Sequence, residues 1–270
     1  MLGAIIGDIA GSRFERHNHK SKDFDLLTHR CRPTDDSVMT LALAQAILNC
    51  GDDYSDLSTQ AVFCMQAFGR RYPDAGYGGK FRRWLVEKNP APYNSLGNGA
   101  AMRVSPCGFA ASSLEEAISL ADAVTCVTHN HPEGMRAAGA ASAAIFLARN
   151  GKGKQEIRDY IESNFYKIDF TLNEIRPTYT FDVTCQGSVP QAFEAFFEST
   201  GFEDAIRNAV SIGGDSDTIA AITGSMAEAY HGIPTEIRDR ALPFLDELQL
   251  SVLNAFEGNT DDEDYLNRFP

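Results

Sequence analysis

The sequence predicts an all-α fold. Apolar side chains recur at the three- and four-residue steps typical of a helix through most of the chain. The alternation typical of a strand is confined to one segment, residues 176–184. No stretch is rich enough in Pro, Gly and Ser to be a linker, and 43% of the residues are hydrophobic, which is enough for one sizeable core. We therefore expect a single domain over residues 1–270.

The first two predicted helices flank a polar loop. Residues 2–14 are rich in Gly, Ala and Ile, which allow another helix to approach closely, so we expect a buried helix there. Polar residues 17–25 predict the loop. Residues 37–48 carry apolar side chains at helical steps, and either Thr34 or Asp35 is placed to cap that helix.

The later helices follow the same pattern. Residues 57–71 predict a helix that ends before residues 72–79, where Pro, Asp and Gly predict a surface loop. Further helices are predicted over residues 113–127, 132–149, 156–166, 189–198, 202–210 and 219–230.

Two segments depart from the helical pattern. Tyr179, Phe181 and Val183 alternate within residues 176–184 and predict one isolated strand. Because strands do not alternate with helices along the chain, nucleotide binding of the Rossmann type is disfavoured. Residues 258–270 are acidic and poor in apolar side chains, so we expect this tail to fray or to lie on the surface.

The overall charge limits the possible partners. The formal net charge is −13 and no run is rich in Lys and Arg, which opposes nonspecific binding to nucleic acid or anionic membranes. No segment approaches about 18 consecutive apolar residues, and the N-terminus has no basic region of the signal-peptide kind. We expect a soluble cytoplasmic monomer that meets nucleic acid only as a modified substrate.

Two acidic motifs are the most informative feature of the chain. Residues 34–37 (TDDS) and residues 213–218 (GGDSDT) each precede a predicted helix. A single Asp at a helix start is explained by capping, but two carboxylates at each start exceed what one cap can use. Unpaired charges that leave water cost several kcal/mol or more. A bound metal is the simplest explanation.

The donor atoms in these motifs indicate which class of metal ion would bind. Asp, Thr and Ser offer oxygen atoms, which suit Mg²⁺ or Mn²⁺ and suit zinc or copper poorly. Six oxygen-bearing residues in two clusters are more than one magnesium ion needs. The sequence therefore predicts a two-metal site.

Two further segments are candidates for ligand contacts. Residues 95–103 (SLGNGAAMR) form a small-residue loop that can present backbone amides and the Asn98 side chain to a polar ligand. Taken alone, Asn98 between glycines is more typical of a turn. In residues 128–132 (THNHP), His129 alone is more typical of a local hydrogen bond. The acidic motifs favour a ligand contact for both.

Together these motifs resemble the ADP-ribosylglycohydrolase family. The resemblance is carried, in the family's order, by residues 7–15 (GDIAGSRFE), 34–37 (TDDS), 97–103 (GNGAAMR), 128–129 (TH) and 214–218 (GDSDT). The resemblance covers about residues 2–230, and the similar family members include dinitrogenase reductase-activating glycohydrolase. It implies a compact orthogonal multi-helix bundle with a binuclear Mg²⁺ or Mn²⁺ centre at the mouth of an ADP-ribose cleft.

The resemblance also implies roles for individual residues. The implied metal ligands are Thr34, Asp35, Asp36, Asp215, Asp217 and Thr218. The implied catalytic residues are Glu15, Asp35 and Asp36, with Glu15 as a mobile acid that takes the acid/base role; whether Glu15 or metal-bound water is the general base stays open. The implied substrate-binding residues are Ser95, Gly97, Asn98, Gly99, His129, Gly187 and Ser188.

The predicted function is metal-dependent hydrolysis of the glycosidic bond that joins ADP-ribose to a protein side chain or a small acceptor. Two cations can fix the ribose diol, polarise the bond at the anomeric carbon and lower the pKa of bound water. The alternatives are a non-catalytic ADP-ribose binder on the same fold and a magnesium-dependent phosphatase or phosphodiesterase. Ser95 resembles the serine-directed branch of the family, while acetyl-linked and nucleobase-linked ADP-ribose remain open.

Overall fold

Helices make up the regular structure of the chain. The computed structural model describes residues 1–258. Over that range the α-helices are α1 (Leu2–Gly11), α2 (Asp35–Cys50), α3 (Leu57–Arg71), α4 (Gly79–Trp84), α5 (Ser105–Ala110), α6 (Leu114–Thr125), α7 (Pro132–Arg149), α8 (Lys154–Asn164), α9 (Leu172–Ile175), α10 (Cys185–Phe197), α11 (Phe202–Ser211), α12 (Ser216–His231), α13 (Thr235–Ala241) and α14 (Glu247–Phe256).

The closest helix pair joins α1 to α12. All ten residues of α1 are buried. Gly3, Gly7 and Gly11 are spaced by four residues and therefore share one face of the helix. A Cβ atom added at any of the three would collide with the α12 backbone, and Gly224 of α12 faces Gly3 in the same way. The two helices thus pack backbone against backbone, as the Gly- and Ala-rich sequence predicts.

The other helices surround this pair in a single core. Helix α2 is buried from Asp36 to Ile47 and packs against α1, α3, α5 and α14. The Ala-rich helix α7 contacts α5, α6, α10 and α12. Helices α2 and α12 both lie against α1, and the hydroxyl of Thr218 at the α12 start contacts Asp36 at the α2 start, so their N-terminal ends meet on one side of the bundle.

The predicted all-α class is confirmed, and the predicted helices over residues 57–71 and 132–149 match α3 and α7 residue for residue. The sequence reasoning missed the short helices α4, α5 and α9 and the C-terminal helices α13 and α14. Helices α4, α5, α9 and α13 have at most seven residues and contain too few turns to produce a clear apolar period, whereas α14 is as long as α1 and was simply overlooked.

The predicted strand over residues 176–184 is wrong. The segment begins as a turn after α9, where the N–H of Tyr179 donates to the carbonyl of Ile175 at 2.8 Å. Its extended end makes one isolated antiparallel bridge, between Thr184 and Gly97. Alternating side chains satisfy only one requirement of a strand, since the backbone also needs a neighbour along its length.

Two expectations concern the ends and the surroundings of the chain. The predicted frayed tail over residues 258–270 falls, beyond residue 258, outside the described residues. Of the helices in the described part, none combines the length and the apolar character that crossing a bilayer requires.

We predict that Gly7→Ala destabilises the protein by roughly 2 kcal/mol or more, because the added methyl group must push the α12 backbone away. Urea unfolding monitored by circular dichroism measures the change in midpoint. Gly79→Ala is the matched control, since its Cβ has open space and it begins a helix; we expect a change within about 0.5 kcal/mol. Equal midpoints for the two variants would contradict the close packing of α1 on α12.

Candidate active site

A buried aspartate of α1 holds the start of α2. Asp8 is fully buried, and its Oδ2 accepts from the backbone N–H groups of Thr34 at 2.8 Å and Ser37 at 3.0 Å. The hydroxyl of Thr34 donates to Asp8 Oδ1 at 2.6 Å, and the hydroxyl of Ser37 also donates to Asp8. These hydrogen bonds dock the first acidic motif onto α1.

The second acidic motif meets the first at the α12 start. Carboxylate oxygens of Asp8, Asp36 and Asp217 all lie within 4.8 Å of one another. The hydroxyl of Thr218 donates to Asp36 Oδ2 at 3.3 Å, and Thr34 lies 3.2 Å from the same oxygen. Asp36 Oδ1 is buried and has no hydrogen-bond partner among the described residues. The cluster therefore leaves one buried carboxylate oxygen without a donor from the described part of the chain.

The electrostatics of this cluster are unfavourable for the carboxylates alone. Burial raises the pKa of Asp8 to about 6. Burial, with the nearby charge of Asp8, raises the pKa of Asp35 to about 7. Burial and repulsion from neighbouring carboxylates hold the pKa values of Asp36 and Asp217 well above their usual range. A cation among these oxygens would offset the repulsion, and an all-oxygen donor set fits a hard divalent cation.

Two glycines shape the backbone before α12. Gly213 and Gly214 have φ values of +72° and +76°, a region that glycine adopts without strain. The N–H of Gly214 donates to Asn18 Oδ1 at 2.7 Å. This turn aims the next residue, Asp215, into the cleft.

The small-residue loop contacts the acidic cluster through Asn98. Its side-chain amide donates to Asp215 Oδ2 at 2.6 Å and to the hydroxyl of Ser188 at 3.1 Å. Backbone hydrogen bonds fix the loop on the extended segment, from Asn98 N–H to the carbonyl of Val183 at 2.8 Å and from Cys185 N–H to the carbonyl of Leu96 at 2.9 Å. The loop is thus held at both its backbone and its side chain.

His129 lies behind the same loop. The ring is buried, and burial together with the charge of Arg103 holds its pKa well below the usual range. Its Nε2 faces the glycines of the loop, since a Cβ at Gly99 would lie 3.3 Å away and one at Gly97 would lie 3.7 Å away. His129 is therefore a neutral polar group at the cleft.

These elements enclose a cleft of about 350 Å³. Its carboxylates are Glu15, Asp35, Asp36, Asp215 and Asp217. Its rim carries the cations Arg16, Arg32 and Lys80, and Phe181 and Val183 add exposed apolar surface. A ligand with an anionic part, an apolar part and hydroxyl groups matches this lining.

The structure brings most of the predicted site residues into this cleft. The residues that line it are Glu15, Thr34, Asp35, Asp36, Ser95, Gly97, Asn98, Gly99, His129, Asp215, Asp217 and Thr218. Gly187 and Ser188 do not line it. Ser188 is fully buried behind Asn98, and Gly187 packs against the Asp182 carboxylate. Their position at the helix start after the extended segment turns them away from the cleft.

Sequence reasoning missed Asp8 as a member of the cluster. Its signal was a single carboxylate inside an apolar, otherwise uncharged helix of Gly, Ala and Ile. A buried charge in such a helix needs partners elsewhere in the chain, and these turned out to be Thr34 and Ser37.

Comparison with known proteins adds a family relationship. The model of the ADP-ribosylglycohydrolase family matches residues 1–262. The chain is 26% identical to the ADP-ribosylhydrolase ARH3 of Homo sapiens, over 86% of this chain and 84% of that protein. It is 28% identical to the ADP-ribosyl-[dinitrogen reductase] glycohydrolase of Rhodospirillum rubrum, over 74% of this chain and 69% of that protein.

A solved structure described as an ADP-ribosylglycohydrolase-related protein complex has the same fold, with a TM-score of 0.68, 24% identity and coverage of 96% of both chains. The region matched by the family model contains both acidic helix starts and the loop whose Asn98 donates to Asp215. The chain therefore belongs to the ADP-ribosylglycohydrolase family.

Proposed function

We propose that this protein hydrolyses the glycosidic bond of ADP-ribose attached to a protein side chain or a small acceptor and releases ADP-ribose. The observation that carries the proposal is the convergence of two acidic helix starts and the Asn98 loop in one cleft, in a chain of this family. Relatives from ARH3 to the Rhodospirillum rubrum enzyme carry names that describe hydrolysis of ADP-ribosyl groups.

We further propose that the cleft holds two Mg²⁺ or Mn²⁺ ions. The proposed ligands are Thr34, Asp35, Asp36, Asp215, Asp217 and Thr218. In support, their donors are all oxygen atoms, Asp36 Oδ1 is buried without a partner in the described structure, and burial raises the pKa of every Asp in the set. Bound there, the ions would supply positive charge that fixes the ribose diol and polarises the anomeric bond.

Asp8 and Asn98 position the proposed ligands. Asp8 accepts from the backbone and the side chain of Thr34 and so orients the α2 start. Asn98 donates its amide hydrogens to Asp215 and Ser188, which fixes the Oδ2 oxygen of Asp215. Backing groups of this kind commonly orient metal ligands.

Glu15 takes the proton-transfer role. It is the cleft carboxylate that remains when the four aspartates are assigned to the ions, and it is half-buried, with Oε1 3.6 Å from the Arg16 guanidinium. A carboxyl group at that position can move a proton between water and the leaving acceptor atom. The loop carrying Ser95, Gly97 and Gly99 then faces the ribose and the diphosphate, where small residues leave room for the ligand.

For the scissile linkage we propose an acceptor of the serine type. Ser95 stands at the cleft where, by the family resemblance, arginine-directed members often carry an acidic residue. A serine hydroxyl is neutral, so the position carries no negative charge that would attract a guanidinium leaving group; the hydroxyl accepts from the Gly97 N–H at 3.2 Å. Some relatives are named for arginine linkages, such as Tri1 of Pseudomonas putida at 27% identity. The test below therefore includes an arginine-linked substrate.

We predict that the pure protein releases free ADP-ribose from serine-linked ADP-ribose when Mg²⁺ is present, and that EDTA abolishes the release. Mass spectrometry of parallel reactions on serine-, arginine-, thymidine- and acetyl-linked ADP-ribose measures the product. Glu15→Gln should lower kcat by about 10²-fold or more with little change in ADP-ribose affinity. Asp159→Asn, an exposed surface change, is the control and should keep full activity.

The same experiment separates the alternatives. Tight ADP-ribose binding without release from any substrate would replace the hydrolase with a binding protein. Release of inorganic phosphate would support a phosphatase or phosphodiesterase. Faster release from the arginine-linked substrate would contradict the role assigned to Ser95 and leave the hydrolase proposal intact.

We predict that Mg²⁺ raises the melting temperature of the wild-type protein by roughly 5–10 °C when it is present at about 100 times its Kd. Asp36→Asn removes one charge from the buried cluster, so in EDTA it should melt above the wild type, and its response to Mg²⁺ should be lost. Differential scanning fluorimetry with and without EDTA provides both numbers. An equal Mg²⁺ shift in both proteins would show that the ion binds elsewhere.

A further inference from the structure

Arg103 is a buried cation, and the described part of the chain gives it no carboxylate partner. It is 1% exposed, and within the described residues no Asp or Glu oxygen forms an ion pair with it. One of its terminal nitrogens contacts Thr128 Oγ1 at 2.6 Å and His129 Nδ1 at 3.3 Å, and the Phe81 ring lies against the guanidinium. Buried charges are normally paired, so the burial of this guanidinium against Thr128 and His129 needs an explanation.

The direction of each hydrogen bond follows from the chemistry of the groups. A guanidinium donates and never accepts, so Thr128 Oγ1 accepts from Arg103. The Thr128 hydroxyl must then donate its own hydrogen. His129 Nδ1 is 2.8 Å from that oxygen, whereas the carbonyl of Thr125 is 3.4 Å away and already accepts two backbone N–H groups. The hydroxyl hydrogen therefore goes to Nδ1.

His129 Nδ1 thus faces two donors, the Thr128 hydroxyl and the Arg103 guanidinium. A nitrogen in that position must present its lone pair, because a proton on it would point at both donors. In the neutral imidazole the proton then lies on the other nitrogen, Nε2. Tyr93, whose ring centroid is 5.8 Å from that of His129, and Arg103 are the titratable side chains that contact the ring in the described structure. Neither can give the imidazolium a compensating negative charge at neutral pH.

We propose that Arg103 is a positioning residue: through Thr128 it locks His129 in the neutral Nε2–H tautomer and makes the ring a fixed hydrogen-bond donor at the cleft. The assignment rests on three distances and on the fact that Arg103 cannot accept a hydrogen bond.

The surroundings of His129 Nε2 indicate which kind of ligand group can accept its hydrogen bond. His129 lines the cleft, and Gly99 lacks the Cβ atom that would lie only 3.3 Å from this nitrogen. An oxygen acceptor can therefore approach Nε2–H next to the backbone amides of the loop. If the proposed function holds, that acceptor is a diphosphate oxygen of ADP-ribose. A fixed Nε2–H tautomer always offers this oxygen a hydrogen-bond donor.

The test reads the tautomer directly. Two-bond ¹H–¹⁵N correlation spectra of ¹⁵N-histidine-labelled protein distinguish a protonated from an unprotonated ring nitrogen, and His129→Gln assigns the signal among the six histidines. We expect Nε2 protonated and Nδ1 unprotonated in the ligand-free wild type, without change between roughly pH 6 and pH 8. Arg103→Lys and Thr128→Ser keep the donors and should keep this pattern.

Arg103→Met removes the donor that forces the arrangement, so Nδ1 should become partly protonated and the Kd for ADP-ribose should rise about tenfold. A protonated Nδ1 in the wild type, or an unchanged tautomer in a folded Arg103→Met protein, would overturn the proposal. If circular dichroism shows that Arg103→Met does not fold, the wild-type spectrum alone decides. Failure of the wild type to bind ADP-ribose would count against the proposed function and leave the tautomer result standing.

Discussion

Carboxylates of like charge are buried together at the facing starts of α2 and α12, and much of the surrounding structure offsets the cost of that burial. The hydrogen bonds that Asp8 accepts hold one helix start, and Asn98 donates to the other through Asp215. Asp36 Oδ1 is also buried and has no hydrogen-bond partner among the described residues. This arrangement of carboxylates is the basis for the divalent cations proposed above.

The packing of α1 makes this geometry possible. The glycine face of α1 lets its backbone touch that of α12, and Asp8 on the same helix reaches the α2 start. A wider spacing between α1 and α12 would move Asp217 away from Asp36 and dissolve the cluster. The small residues of α1 therefore matter for both the core and the site, because the stability of the protein and the positions of the carboxylates depend on the same close contact between α1 and α12.

The fold class and the importance of the acidic motifs could be inferred from the sequence because both depend on local patterns. Helical periodicity is visible within three or four turns, as in α3 and α7, and two carboxylates at one helix start stand out against capping. Sequence reasoning failed where the outcome depended on a partner. Residues 176–184 alternate like a strand but find a single bridge at Gly97, and Ser188 follows a plausible pattern yet packs behind Asn98.

The amino-acid pattern alone was enough to predict a helical chain, to recognise two oxygen-rich motifs and to identify the family. The folded structure was needed to show that Asp8 lies in the cluster, that Asn98 bonds to Asp215 across 117 residues of chain, and that Arg103 lies 3.3 Å from His129 Nδ1. The physical reason is range: periodicity and capping act over a few residues, whereas hydrogen-bond direction and charge repulsion depend on which distant groups the packing brings within about 3 Å.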